Sequence, residues 1–388
     1  MIVLLTIHGI GFQVSPEDGP EGYADPLHKQ LALPENLGGD LSSDPEASHR
    51  DQTTPHDGAV YVQSHWPPRS EDAERGLARL DRKLRRGNQR FAHVALVYSH
   101  LEDSKPKPFS LLELCGQAVF QLRSYGTLRQ LIRWAWRDVT AMRKAGERQV
   151  VVLSPQAPNE PRRSMSSLMP RRSMKRGRSP KPGLGSIILA IENDFAAYVL
   201  RNDLRERVRG FVREALIKLA QRTDVERIVI NSHSQGTVAA FDVLTELPSQ
   251  AIDKIAQVVT SGSHLRKLVK LLNWGSDIGN IPINVPWTNF YDLRDPVADG
   301  LCPERWIPGK ARDCASDQRT LLSKVEVTPA GVKVLDRRVS DIVVDNIRYS
   351  RGSLRAHNYF DNAHDFVPRL AKLLRAVGTR QPAGVTVP

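Results

Sequence analysis

The chain has 388 residues, 40% of them hydrophobic and 25% charged, which suits a globular protein with one large core or two modest ones. No apolar run approaches the roughly 20 residues needed to cross a bilayer. The apolar opening stretch lacks a basic leader and a small-residue cleavage site, so a cytoplasmic location is expected. The net charge of +12 suggests attraction to something acidic, and Cys115, Cys302 and Cys314, with no CxxC pair, indicate neither a zinc site nor a disulfide framework.

Strand candidates appear along the whole chain, at 2–7 (IVLLTI), 59–64, 93–98, 149–153, 227–231, 256–260 and 288–292. Several are near-continuous apolar runs, as expected of strands buried on both faces of a parallel sheet. Residues 13–58, rich in Pro, Gly, Asp and Ser, read as a long loop over that sheet. Within 110–143, Leu128, Leu131, Ile132, Ala135, Val139 and Met142 form a helical stripe beside Trp134 and Trp136. Such a basic amphipathic helix suits a cap packed on the sheet, or a membrane surface.

Residues 154–184 are Pro- and Arg-rich and read as disordered; eight Lys or Arg fall in 161–182, where Pro-Arg-Arg-Ser-Met occurs twice. Much of the charge excess therefore belongs to one segment, read as a solvated linker. A second helical stripe follows, with Leu204, Val208, Phe211, Val212, Ala215, Leu216 and Leu219 on one face. The helix after Ser234 is expected to run until Pro248. Strand, helix, strand in this order argues an α/β fold with right-handed crossovers.

Nucleophilic acyl transfer needs an exposed hydroxyl, an imidazole base, a carboxylate that orients it, and backbone N–H groups aimed at the developing oxyanion. In "RIVINSHSQGTVAAFDVL" the strand runs into Ser234, with Ser232 and Gly236 as the small residues two positions either side. A sharp strand-to-helix turn requires small residues there, although the usual first residue is Gly. The first strand ends in His8-Gly9-Ile10-Gly11, whose glycines let backbone amides approach a ligand. The N–H of Ile10, or of Gly11, pairs in this reading with that of Gln235, where the helix dipole favours negative charge.

Downstream, "NFYDLRDPVADG" offers Asp292, Asp295 and Asp299. Asp295 leads, because it lies just beyond the strand and before a Pro that imposes an extended turn. Of the later histidines, His357 falls on a loop and His364 near the start of the last helix, so His357 is preferred. Ser234, Asp295 and His357 follow one another at intervals of 61 and 62 residues, the Ser–acid–His order of one triad architecture.

Four motifs, HGIG at 8–11, SHSQG at 232–236, YDLRDPVA at 291–298 and AHNYF at 356–360, resemble the α/β-hydrolase superfamily of serine esterases and lipases. The resemblance implies a mostly parallel sheet flanked by helices, with a helical cap insertion. It implies catalysis by Ser234, Asp295 and His357, oxyanion donors at Ile10 and Gln235, and support from His8, Gly9, Gly11, His233 and Gly236. Residues 1–103 and 201–388 would then form the core and 104–200 the cap. Ser232 in place of Gly, and a chain that begins at what looks like the family's third strand, depart from the pattern.

The expected activity is hydrolysis of a small-molecule or lipid carboxylic ester, with no cofactor and no metal, since no metal cluster, phosphate loop or dinucleotide fingerprint occurs. Weak peripheral membrane contact fits the basic segment. Specific nucleic-acid binding does not, because no aromatics interleave with its charges. The alternative is an inert module of the same fold docking to an acidic partner or membrane surface.

Overall fold

The computed structural model of the chain describes residues 1–9, 22–42, 58–64, 89–98, 198, 202–244, 246–265, 285–295, 297–298, 300–301, 324–328, 331–336, 339–350 and 355–379. The expected strand at 149–153, the helix in 110–143, the basic segment 154–184 and, apart from Tyr198, the cap at 104–200 lie outside the described residues. So do Ile10, Gly11, Asp299 and the three cysteines.

The core is a parallel sheet with helices on both faces. Its strands are β1 (Ile2–Ile7), β2 (Leu41–Ser42), β3 (Val60–Gln63), β4 (Phe91–Val97), β5 (Arg227–His233), β6 (Ile255–Ser261), β7 (Trp287–Tyr291) and, after a separate antiparallel hairpin β8 (Lys324–Thr328) and β9 (Gly331–Asp336), β10 (Val339–Val343). The order across the sheet is β10-β7-β6-β5-β1-β4-β2, and β3 pairs with β4 further along the same strand. Every pairing within this sheet is parallel.

Side-chain alternation divides the core. Val3, Leu5 and Ile7 of β1 pack with Leu204, Val208, Val212, Leu216 and Leu219 of helix α2 (Asn202–Gln221). The same side holds α3 (Gly236–Leu244) and α4 (Ser249–Ile252), through Val238, Phe241 and Ala251. Ile2 and Leu4 face the other layer, formed by α1 (Asp25–Leu31) and the C-terminal helix α6 (Phe366–Thr379). A short helix, α5 (Asn346–Tyr349), precedes α6. On α6 the buried positions Phe366, Val367, Leu370, Leu374 and Val377 recur at helical spacing, and each of the larger ones contributes about 1.5–3 kcal/mol of burial.

Arg205 of α2 grips the Asp242 carboxylate of α3 with two hydrogen bonds of 2.8 Å, and the Tyr198 hydroxyl donates to the same carboxylate at 2.9 Å. This bidentate pair fixes α3 from behind.

Three local expectations are corrected. Residues 13–58 are not one loop: α1, a 3-10 turn at Gly38–Asp40 and β2 lie within them. Helix α3 is assigned only to Leu244, and Ser249–Ile252 forms a separate turn of helix whose N-cap is Pro248. Strand β10 was not anticipated, because Ser340 and Asp341 break its apolar run at the edge of the sheet. No helix among the described residues is long and apolar enough to cross a membrane.

From β1 the chain crosses to the edge strand β2 and works back through β3 to β4, then passes to β5 on the opposite side of β1. The order reverses between β1 and β5, and a parallel sheet opens a crevice beyond the carboxyl ends of the strands at such a reversal.

Candidate active site

That crevice is where Gly9, following β1, and Ser234, following β5, come together. Ser234 has φ +53°, the only non-glycine with positive φ among the described residues. An L-residue held there is strained by about 1–2 kcal/mol. The surroundings enforce it: the Ser234 N–H donates to Ser261 O at 3.0 Å, and Ser234 O accepts from the Thr237 N–H at 3.0 Å and its hydroxyl at 2.7 Å.

Gly236 opens α3 directly against β1. A β-carbon there would meet Ile7 O at 2.2 Å, so the chain can turn this sharply only without a side chain. Ser232 faces no such limit. Its hydroxyl donates to Val259 O at 3.2 Å, so this departure from Gly is absorbed by a hydrogen bond.

Gly9 lies beside the serine turn. A β-carbon on it would lie 3.1 Å from Gln235 N and 3.2 Å from Ser234 Oγ. Gly9 therefore adjoins both the hydroxyl and the Gln235 amide just before α3. The amide is at the positive end of the helix dipole.

The candidate acid follows β7, and the candidate base belongs to a 3-10 turn ahead of the C-terminal helix. His357 Nδ1–H donates to Asp295 Oδ2 at 2.8 Å, and both residues are buried, at 7% and 5% exposure. The Tyr359 hydroxyl donates to the same oxygen at 3.0 Å, and the Val297 N–H reaches Oδ1 at 2.9 Å. Burial and the Asp295 charge push the Tyr359 phenol well up, so it remains a neutral donor. With the Nδ1 proton committed to Asp295, the Nε2 lone pair is the basic position of a neutral His357.

Asp292, the rival acid, is occupied elsewhere. Its Oδ2 accepts from the Asn346 N–H at 2.7 Å and its Oδ1 from the Arg294 N–H at 2.8 Å, so it supports the first turn of α5, whose N-cap is Asp345, and braces the loop. His364 is exposed and packs beside Tyr349, away from both carboxylates. His357 itself ends a 3-10 turn, Arg355–His357, rather than lying on an irregular loop.

Two residues that sequence reasoning did not single out hold His357 in place. Gly262 has φ +61°, and a β-carbon on it would meet His357 Cε1 at 2.7 Å and His233 Nε2 at 3.1 Å. The His357 ring is seated directly on this glycine. Tyr359 is the other, because its phenol braces the acid. The available signals were the Gly that follows strand 256–260 and the aromatic two positions after His357.

His8 and His233 flank the nucleophile, with ring centroids 4.6 Å apart. Burial pushes the His8 imidazole down to about 4 and holds His233 well below the ordinary histidine range. His93 on β4, paired with Thr6 Oγ1 at 2.7 Å, is held well down by burial too. Such histidines are neutral in the fold but take up a proton when unfolded near their ordinary value of about 6.5. Their contribution to stability is therefore complete above about pH 6.5 and declines as pH falls toward 4. The urea midpoint is expected to drop steadily between pH 7 and 5, each histidine contributing at most about 1.4 kcal/mol per pH unit. A pH-independent midpoint over that range would contradict neutral burial.

Comparison of the chain with protein-family models, with curated proteins and with solved structures finds no match.

Proposed function

We propose that this protein is a serine hydrolase of α/β-hydrolase type that cleaves carboxylic esters. The observation that carries the reading is the buried Asp295–His357 hydrogen bond of 2.8 Å, with the His357 ring 4.7 Å from that of His233, the residue before a serine held at φ +53° on a strand-to-helix turn. Strain stored at one residue and a carboxylate–imidazole pair are each found in inert proteins. Their occurrence together, one residue and one ring contact apart through His233, is what favours chemistry.

In the proposed reaction His357 Nε2 accepts the Ser234 hydroxyl proton as Oγ attacks the ester carbonyl. The oxyanion is held by the Gln235 N–H and, as the sequence suggests, by the amide of Ile10. Collapse of the tetrahedral intermediate expels the alcohol, which takes the proton back from His357. Water, activated by the same imidazole, then releases the acid and regenerates the serine. Asp295 stays ionised, holds the reactive tautomer and stabilises the imidazolium. The substrate class is a small-molecule or lipid carboxylic ester.

A fluorophosphonate probe tests this directly. It is expected to label Ser234 of the folded protein, and p-nitrophenyl esters of graded chain length are expected to turn over. Failure of both, in protein folded by circular dichroism, would favour an inert binding module.

Gly262→Ala checks the seat of the base. The added methyl must displace the His357 ring, and alanine at φ +61° adds about 1–2 kcal/mol of strain. Turnover is expected to fall by about 100-fold, because ångström-scale misplacement of a catalytic group costs on that order. Stability should drop by no more than the strain. Wild-type turnover in this variant would mean that His357 works from another position.

A further inference from the structure

The two histidines beside the nucleophile are hydrogen-bonded in series, and the end of that series is the base's own backbone. His233 Nε2 lies 2.9 Å from the carbonyl oxygen of His357. A carbonyl only accepts, so Nε2 must carry the proton. In the neutral ring Nδ1 is then an acceptor. It lies 3.0 Å from His8 Nε2, while His8 Nδ1 lies 3.2 Å from the Gly9 carbonyl oxygen. The one proton of a neutral His8 serves only one of these contacts, and on Nε2 it completes the shorter one, to His233. His8 in turn follows β1 and adjoins Gly9, the residue that borders Ser234 and Gln235.

The packing leaves these rings little choice of orientation. Phe360 contacts both, at 5.7 Å from His8 and 5.3 Å from His233, and Tyr23 meets His8 edge-on at 5.1 Å. The His233 and His357 rings are 4.7 Å apart and tilted, and the hydrogen bond between the two residues runs to the His357 carbonyl. The link is to the main chain of His357.

From this we propose that His233, oriented by His8, is a positioning residue for the base. Its Nε2–H fixes the backbone of His357, so that the imidazole stays between Asp295 and the serine turn. The position between strand and nucleophile needs a side chain that donates from one end and accepts at the other. Neutral histidine meets both needs within one rigid ring, and burial keeps it neutral. Its titratable neighbours are His8, His264 and His357.

This inference rests on the proposed hydrolase reading, and the experiment separates the two. Variants His233→Leu, His233→Gln and His8→Leu are compared with wild type for fluorophosphonate labelling of Ser234 and for kcat, KM and the pH profile of p-nitrophenyl acetate hydrolysis. His357 is followed in parallel by NMR of histidine-labelled protein. In His233→Leu, kcat should fall 10- to 100-fold with KM little changed, and the acid limb of kcat/KM should shift along with the NMR titration of His357. His233→Gln, which keeps a donor and an acceptor, should recover most of the loss. His8→Leu should show a smaller loss of the same kind, and it decides the matter if His233→Leu does not fold.

Wild-type labelling and an unmoved His357 titration in the folded variants would overturn the proposal. If wild type itself does not react at Ser234, the hydrolase reading fails. The NMR titration then decides the positioning role alone: a shift in His357 upholds it and an unchanged titration overturns it.

Discussion

Ser234→Ala is expected to lower turnover of a p-nitrophenyl ester by on the order of 10⁵-fold or more, and to abolish fluorophosphonate labelling. The hydroxyl is the only atom removed. The alanine keeps the turn, because Gly236 still packs on Ile7 and the backbone still bonds to Ser261 and Thr237. Alanine at φ +53° is as strained as serine. Stability should therefore change little, and circular dichroism should be unaltered. Ser234→Gly extends the test: it should be equally inactive but more stable by about 0.5–1 kcal/mol, since glycine accepts that φ without strain. A gain in stability with complete loss of activity would tie the strain at this position to its role. Residual turnover near wild type in either variant would sink the assignment of the nucleophile.

Asp295→Asn should cost about 10⁴-fold in kcat. An amide whose NH₂ faces His357 donates where the carboxylate accepted. The imidazole then carries its proton on Nε2 and cannot take the serine's. The effect is sharpened because each Asp295 oxygen already accepts: Oδ2 from His357 and Tyr359, Oδ1 from the Val297 N–H. Wherever the amide nitrogen is placed, one donor meets another. The variant should also lose about 1–3 kcal/mol of stability, as an unsatisfied buried group does, and a urea titration reads this directly. Asp292→Asn separates the two acids. It should weaken the first turn of α5 while leaving the pH profile of kcat/KM in place, because Asp292 bonds to Asn346 and Arg294 rather than to His357. If Asp295→Asn retained wild-type activity while Asp292→Asn did not, the acid would have been misassigned.

The parallel sheet was largely legible in the chain. IVLLTI, FAHVALV and RIVINSH are buried along nearly their whole length, and a strand covered on both faces has to be apolar throughout. The stripe on α2 was legible for the same reason, since a surface helix must present one apolar side. Strand β10 was not. A strand at the edge of the sheet carries polar residues, and the pairing of its Asp341 with the Asn289 amide at 2.8 Å is a contact between residues 52 apart. Helix α1 was hidden inside a Pro- and Gly-rich stretch because it is only seven residues long.

By itself the sequence determined the alternation of strand and helix, the turn at Ser234, and a Ser–Asp–His order in which the acid precedes a proline. These are local properties: periodicity, residue size and backbone restriction act within a few positions. Only the tertiary structure decided which groups each candidate meets. It assigned Asp292 to a helix end and Asp295 to His357, showed that Ser232 is tolerated through Val259, and seated the His357 ring on Gly262 under a hydrogen bond from His233. Those outcomes depend on which buried donor finds which acceptor across 27 to 124 residues of intervening chain. Packing, not local pattern, makes that selection.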